Sequence, residues 1–424
     1  MKKLVGWTVI GYVLYALAMS CYIWIVVDTA LPSHLVGTKA DPHTFLSVQE
    51  VMLVEEYSKI RNFLYFLALP FDWIVFFLLL LLGGARAIER WAENVTKYKW
   101  LQSGIYVFWL TLIMTIVSFP LSYLRFTLSR SYNITVQTFE NWMRDHVVSF
   151  WEETLLMWLV VAVLYVLIRQ FKKMWWAISW VLFIPFVFFL MYIQPVVIDP
   201  LYNDFTELQD KELEEKILGL AAIAEIPANR VYQVNMSEKT NSINAYVTGV
   251  GANSRIVLWD TLLTTLDEDE ILFIMAHEMG HFVLNHIVVG ITGYIAFSFF
   301  AFYFIHWSAT RIIRRWGTTF RITNLGQLAS MPLLLALLSF VLFLASPLTN
   351  AVSRYQEHTA DQYAIELTGE VDPAIGAFQQ ITKSSLSEVN PPLLVKFLRY
   401  THPPMVDRIS YLENFLEEEK QAGE

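Results

Sequence analysis

The chain has 424 residues, 55% of them hydrophobic, with a formal net charge of −9 and a mean hydropathy of +0.44. This composition is too apolar for an ordinary soluble protein, and the acidic balance, with no basic cluster, argues against a nucleic-acid-binding protein. Cys21 is the sole cysteine, so a disulfide within the chain and a cysteine-ligated metal are both excluded.

Seven apolar segments have the length of about 20 residues that a helix needs to cross a bilayer. They are predicted at residues 5–27, 63–84, 104–126, 152–169, 174–196, 286–306 and 329–349. Seven are too many to be the core helices of one soluble domain, so the sequence predicts a mainly α-helical, multi-pass membrane protein. Polar loops long enough to hold short helices are predicted at residues 28–62 and 127–150.

The spans divide the chain into four predicted regions. Residues 1–196 hold the first five spans with two polar loops, and residues 286–349 hold spans six and seven. Residues 197–285 and 350–424 are the two large extramembrane segments. Because an even number of spans separates these two segments, both are expected on the same face of the membrane.

Lysine and arginine are concentrated on one side of the predicted topology. They occur at the N-terminus and in the loops at 85–103, 169–173 and 307–328. The positive-inside rule places this side in the cytoplasm, which puts the two large extramembrane segments on the opposite face.

A short β element is predicted in the first extramembrane segment. Residues 241–249 are strand-like with a polar tip, and the apolar run 255–259 follows them. The edge of a strand can bind an extended peptide through main-chain hydrogen bonds. This segment is therefore a candidate peptide-binding element.

The most informative motif is His277–His281, which reads His-Glu-Met-Gly-His within a predicted helix. Asp267 is expected to cap that helix, with Glu270 completing a capping box. Histidines four residues apart lie on one helix face, and the intervening Glu278 is placed to deprotonate a metal-bound water, as in zinc peptidases. Gly280 is expected to leave room for a neighbouring element beside the metal.

A catalytic zinc site needs a third protein ligand and an open position for water. Glu357 and Asp361 lie four residues apart in a downstream segment of helical character. Glu357 is the predicted third ligand, and Asp361 is predicted to accept the N–H of a ligating histidine. His358 is the alternative ligand, but it lies about 100° around the helix from Glu357.

A further histidine lies on a rigid turn near the C-terminal end, in Thr401-His402-Pro403-Pro404. His402 is predicted to donate a hydrogen bond to the oxyanion of a tetrahedral intermediate.

Taken together, these segments resemble the type I CAAX prenyl protease family of integral-membrane zinc metallopeptidases. The resemblance is strongest over residues 195–410 and weak in the first 100. It rests on four motifs: His277–His281, Glu357 with Asp361, Asn244-Ala245-Tyr246, and His402-Pro403-Pro404 with Arg408.

The resemblance implies a role for each residue at the metal. His277, His281 and Glu357 would bind one Zn²⁺ ion per chain. Glu278 would be the catalytic base, and Asp361 the acid beside the site that is sometimes assigned as the proton donor.

The resemblance also implies roles for residues farther from the metal. Asn244 and His402 would contact the substrate or the intermediate, with Ala245 and Tyr246 in the same substrate-binding segment. Arg408 would pair with a carboxylate near the site.

The fold that the resemblance implies is a ring of about seven transmembrane helices around an intramembrane chamber, with a zinc-metallopeptidase domain of helices and a small β element. Its substrate would be a peptide or protein, prenylated or membrane-bound, and the site would face the cytoplasm. That orientation is the opposite of the one from the positive-inside rule, so both remain open.

The sequence leaves three other questions open. The expected location is a bacterial plasma membrane, with the endoplasmic reticulum membrane as the alternative; a bacterial location would favour unmodified substrates. A quality-control metallopeptidase of the related heat-shock type is the alternative function. A non-catalytic seven-span transporter or receptor would explain the hydropathy but leaves the motif at His277–His281 unexplained.

Overall fold

The computed structural model describes residues 2–248 and 255–423, so Gly249 of the predicted strand lies outside the described residues. Eight α-helices precede the β-sheet. They are α1 (Lys2–Cys21), α2 (Pro42–Phe45), α3 (Val48–Ala68), α4 (Phe71–Leu82), α5 (Gly84–Val95), α6 (Lys99–Ser131), α7 (Phe139–Gln170) and α8 (Trp175–Ile193).

The remaining elements carry the candidate site. The strands are β1 (Phe205–Glu207), β2 (Val231–Val234), β3 (Ala245–Thr248) and β4 (Arg255–Trp259). The helices are α9 (Lys211–Ile223), α10 (Asp260–Thr265), α11 (Glu268–Val283), α12 (His286–Phe320), α13 (Met331–Thr368), α14 (Asp372–Ser385), α15 (Leu393–Arg399) and α16 (Met405–Gly423).

Within the described ranges, seven helical segments are long and apolar enough to cross a membrane, which confirms the predicted number. They are Lys3–Val26, Val48–Leu82, Lys99–Ser131, Phe139–Gln170, Trp175–Leu201, His286–Phe320 and Leu328–Thr368. The protein is therefore a multi-pass, mainly helical membrane protein with one small sheet.

Several of these helices extend well beyond the predicted spans. The predicted loop 28–62 contains most of α3, which begins at Val48 because Ser47 and Glu50 form a capping box. The predicted loop 127–150 contains the start of α7, where the Thr138 hydroxyl accepts the Asn141 N–H at 3.2 Å. Hydropathy detects only the apolar part of a helix, so these polar, capped extensions were missed.

The four-stranded sheet has the order β1-β2-β4-β3. Central strand β4 pairs in parallel with β2 and antiparallel with β3, with Ala245 opposite Leu258. Strand β3 is thus at one edge of the sheet, and it packs against α11. The predicted β element therefore borders the helix that carries the metal-binding motif.

Helix α11 lies in the core of the extramembrane domain. Its N-cap is Asp267, whose backbone N–H donates to Glu270 Oε2 at 3.0 Å, as predicted for the capping box. On its buried face, Phe273 meets Phe378 of α14 edge-on with ring centroids 5.6 Å apart. Burial of aromatic side chains on this face fixes the rotation of the helix, and with it the direction of the histidines.

Gly280 allows α11 to approach α13 closely. A Cβ atom at this position would lie 3.1 Å from Tyr363 Cδ1 and 3.3 Å from Ala360 Cα. These distances are shorter than ordinary van der Waals contact, so a larger residue would push the two helices apart. The expectation that Gly280 leaves room for a neighbouring element is confirmed.

A large apolar cavity lies between the transmembrane helices. It has a volume of about 910 Å³ and is bounded mainly by α7, α8, α12 and α13. A smaller cavity of about 340 Å³ opens at the extramembrane domain and contains the candidate site.

Candidate metal centre

The two histidines of the motif face each other on α11. His277 Nε2 and His281 Nε2 are 3.2 Å apart. His277 is buried, with 5% of its surface exposed, whereas 21% of the His281 side chain is exposed. One turn of helix therefore presents two imidazole nitrogens to a single point.

Helix α13 brings Glu357 to the same point. Its Oε2 lies 3.3 Å from His277 Nε2, and its Oε1 lies 3.3 Å from His281 Nε2. One ligand atom from each of the three residues lies within 4.8 Å of the others. The buried Oε2 accepts no hydrogen bond from the described residues. A buried carboxylate whose two oxygens each lie near an imidazole nitrogen is the arrangement that a bound metal cation would satisfy, so these residues fit a metal ion.

Asp361 contacts His277 through Nδ1, the ring nitrogen that does not face His281 and Glu357. Its Oδ1 lies 2.8 Å from His277 Nδ1, and its Oδ2 accepts a hydrogen bond from Arg408 Nε at 2.8 Å. Burial alone would lower the pKa of His277, but the adjacent carboxylates of Asp361 and Glu357 raise that pKa to about 10. Arg408 compensates the buried charge of Asp361. This contact agrees with the expectation that Arg408 pairs with a carboxylate near the site.

His286, at the start of α12, was not recognised in the sequence. Its Nδ1 lies 2.9 Å from His281 Nδ1, and its Nε2 lies 3.2 Å from Thr359 Oγ1. If His281 binds a metal through Nε2, its Nδ1 carries the proton, and the Nδ1–H donates a hydrogen bond to His286 Nδ1. His286 follows His281 by five residues, but α11 ends between them, so helical periodicity could not place it.

Glu278 lines the 340 Å³ cavity next to His277. Its side chain is only partly buried, so the carboxylate is open to the space in front of the two histidines. Burial raises the pKa of Glu278, while the nearby histidines act in the opposite direction.

Three other predicted residues line the same cavity: Asn244, Ala245 and His402. His402 Nε2 lies 3.4 Å from Glu357 Oε1, and 60% of its side chain is exposed. Asn244 precedes β3, and its Oδ1 accepts the Ala245 N–H at 2.9 Å. Tyr246 is not among the residues that line this cavity, because successive side chains of a strand alternate between its faces.

The alternative ligand His358 lies elsewhere on α13. Its ring packs edge-on against Tyr411 of α16, with centroids 4.4 Å apart. It does not belong to the group of converging ligand atoms found among the described residues.

Both halves of the chain match family models. The model described as peptidase family M48 matches residues 207–416. The model described as the CAAX prenyl protease N-terminal region, five membrane helices, matches residues 42–204.

Individual relatives match most of the chain. A protein described as uncharacterized metalloprotease YhfN of Bacillus subtilis is 47% identical over 97% of both chains. CAAX prenyl protease 1 of Saccharomyces cerevisiae is 30% identical over 75% of this chain and 74% of its own length. The crystal structure of S. mikatae Ste24p has the same fold, with a TM-score of 0.78 and 23% identity over 96% of this chain and 97% of that one.

These matches agree with the seven spans and with the converging histidines and carboxylate. They favour a peptidase over a transporter or receptor, since both cited relatives are described as proteases and match 97% and 75% of this chain. The chain therefore belongs to the type I CAAX prenyl protease family within peptidase family M48, and it is a multi-pass membrane metallopeptidase.

Proposed function

We propose that this metallopeptidase is a zinc-dependent endopeptidase, with His277, His281 and Glu357 as the zinc ligands. The convergence of these three side chains within 4.8 Å, at a cavity that also contains Glu278, is the observation that carries the proposal. Two histidines and one glutamate are a ligand set typical of catalytic zinc in peptidases.

Glu278 is the proposed general base. Zinc held by these ligands would supply Lewis acidity, which lowers the pKa of water and polarises the scissile carbonyl. Glu278 takes the proton of the attacking water and returns it to the leaving amine. Burial raises the pKa of Glu278, and a carboxylate that is a stronger base than usual is suited to accept a proton from water.

His402 and Asp361 have different proposed roles. His402 is exposed on the cavity side, so its ring is available to donate to the oxyanion that develops during attack. Asp361 is buried between His277 and Arg408, and its carboxylate oxygens contact both of these side chains. These contacts favour a role in orienting His277 over a role as proton donor to the leaving group.

The substrate is proposed to lie along β3 as an extended peptide. Strand β3 is at the edge of the sheet, and residues at its start, Asn244 and Ala245, line the cavity. An edge strand offers main-chain donors and acceptors to a peptide of any sequence. Any preference for particular side chains of the substrate must then come from other parts of the cavity.

The proposed substrates are membrane-associated polypeptides of a bacterial plasma membrane. The Bacillus subtilis relative, at 47% identity, supports a bacterial setting. The match to the five-helix N-terminal region favours the CAAX-type enzyme over a heat-shock-type quality-control peptidase. Because few bacterial proteins are prenylated, we infer that the enzyme also cleaves unmodified peptides.

The test uses purified wild type and the Glu278→Gln variant with matched farnesylated and unmodified CAAX peptides, and products are identified by mass spectrometry. Wild type is expected to cleave both peptides, and Glu278→Gln to lose at least about 10³-fold in kcat because the base is removed. Zinc content, measured by elemental analysis, is expected to be the same in both proteins.

Asp269→Asn is the matched control, since it changes an exposed acid to its amide on the same helix. Full activity of Glu278→Gln would show that another group is the base. Cleavage of the farnesylated peptide alone would overturn the inference about unmodified substrates.

A further inference from the structure

The polar start of α7 and the loop before it contact the segment that leads into β3. The α6–α7 loop comprises residues 132–138, and the segment before β3 comprises residues 239–241. Thr135 of the loop and Thr240 of the segment form an isolated antiparallel bridge. The membrane region therefore contacts the extramembrane domain at the approach to the proposed peptide-binding strand.

Hydrogen bonds to the main chain fix the register of this contact. The Lys239 carbonyl accepts the Val136 N–H at 3.1 Å and the Thr135 hydroxyl at 2.6 Å. Two residues farther on, the Asn241 N–H donates to the Ile134 carbonyl at 3.0 Å. Because both partners use backbone atoms in opposite roles, the segment cannot slide along the loop without breaking several hydrogen bonds.

The side chain of Lys239 ties the same segment to α7. Its Nζ lies 2.7 Å from Asp145 Oδ2 and donates to the Tyr202 carbonyl, also at 2.7 Å. The side chains of Lys239 and Asp145 are only 20% and 18% exposed. Gln137 of the loop donates to the same Asp145 oxygen at 2.8 Å. A partly buried ion pair within a hydrogen-bonded network holds its geometry better than an exposed pair.

This contact lies a few residues from the metal-centre cavity. Asn244 and Ala245 line that cavity together with Glu278. Each residue of an extended chain covers about 3.3 Å, so a slip of one residue at Asn241 would displace Asn244 by a similar distance. Because a misplacement of about 1 Å can already weaken a catalytic arrangement, the position of Asn241 matters for the site.

The sheet alone holds only one side of β3. Strand β4 pairs with it, and the Asn244 carbonyl accepts the Trp259 N–H at 3.0 Å. The opposite edge of β3 is the one at which a peptide is proposed to pair. The α6–α7 loop and α7 therefore supply a second fixed point, at the start of the strand.

We propose that Lys239 and Asp145 are positioning residues for peptide cleavage. Their ion pair holds the start of β3, so that Asn244 and Ala245 present their backbone to the substrate at a fixed distance from the metal centre. Neither residue is among those that line the metal-centre cavity, so both act through the strand. This inference rests on the proposed peptidase function, and it gives the polar extension of α7 a role in substrate binding.

The kinetic test uses purified Lys239→Met with an unmodified peptide substrate. KM is expected to rise by about 5- to 10-fold while kcat stays within about 2-fold of wild type, because pairing along β3 contributes to binding before and during the reaction alike. Lys239→Arg retains the cation and is expected to keep KM within about 2-fold of wild type. Zinc content is expected to be unchanged in both variants.

A double-variant cycle tests whether the two residues act as a pair. Asp145→Asn is expected to raise KM as Lys239→Met does. Asp145→Asn combined with Lys239→Met should be no worse than either single variant, because one interaction is removed in all three proteins. Additive increases in KM would show that the residues act independently and would contradict the proposal.

Hydrogen exchange and peptide binding separate this inference from the peptidase function. Exchange measured by mass spectrometry is expected to be faster over residues 240–248 in Lys239→Met than in wild type. Fluorescence anisotropy is expected to show weaker peptide binding to Glu278→Gln/Lys239→Met than to Glu278→Gln. Both changes without turnover by wild type would support the positioning pair and contradict the peptidase. Normal turnover with neither change would do the reverse.

Lys211→Met is the matched control, because Lys211 forms an ion pair with Glu214 at the same distance of 2.7 Å, but within α9. Its KM and its exchange over residues 240–248 are expected to equal those of wild type. A fall in kcat with unchanged KM in Lys239→Met would indicate a smaller fraction of folded enzyme. That result would assign the pair to folding and would overturn the proposal.

Discussion

The metal centre and a pair of arginines, Arg61 and Arg399, line one cavity but differ in how their buried charges are compensated. At the metal centre, Arg408 donates to Asp361, which lies 2.8 Å from His277, and all three residues are buried. Among the described residues, Arg61 and Arg399 contact tyrosine rings and the Asn62 amide, and the Glu388 carboxylate interacts with them at longer range.

Buried charges are tolerated when they are paired and hydrogen-bonded, so the chain itself organises the residues that would hold the metal. The arginine pair interacts with the Glu388 carboxylate only at longer range. Substitutions at the metal centre should therefore affect both metal binding and folding.

The largest effect is expected for the third ligand. Glu357→Ala should lose zinc and with it at least about 10³-fold in activity, because two histidines alone hold the ion weakly. His358→Ala is the neighbouring control and should retain zinc, since its ring packs on Tyr411. Elemental analysis after dialysis measures both proteins, and the opposite result would exchange the two assignments.

Removing the charge that compensates Asp361 should come next. Arg408→Met leaves Asp361 buried without its cation and is expected to destabilise the fold by about 3 to 5 kcal/mol. The double variant Arg408→Met/Asp361→Asn should recover part of that loss, because no bare charge remains. Thermal unfolding in detergent compares them, and an Arg408→Met protein as stable as wild type would show that the pair is not needed.

The smallest of the three effects is expected at His286, which contacts His281 on the side away from the metal. His286→Ala should weaken zinc affinity by roughly 10-fold, because the orientation of His281 is lost. His286→Asn places an amide oxygen near the former Nδ1 and should restore most of the affinity. Competition with a zinc chelator measures this, and equal affinities in Ala, Asn and wild type would remove His286 from the site.

Local sequence patterns were sufficient to predict the transmembrane spans, the helix of the metal-binding motif and part of the candidate site. Spans were predicted because about 20 consecutive apolar residues mark a membrane helix. The helix that carries His277 and His281 was predicted with its cap, because the capping signal and the helical period are both local. The polar extensions of α3 and α7 were missed, since hydropathy does not report on a helix outside the bilayer.

Nonlocal contacts required the structure. Glu357 reaches the histidines because Gly280 lets α11 and α13 approach closely. His286 reaches His281 because α12 starts at a sharp bend, where Asn285 has a left-handed backbone with φ of 57°. Neither contact follows from spacing along the chain, because the backbone between the partners changes direction.

By itself, the sequence determined that this protein crosses a membrane about seven times and carries His277, Glu278 and His281 close together on one helix. Only the tertiary structure decided that Glu357 faces those histidines and that Arg61 and Arg399 share their cavity. The physical reason is that periodicity tells which face of an element a residue occupies. Packing between distant elements decides what that face meets.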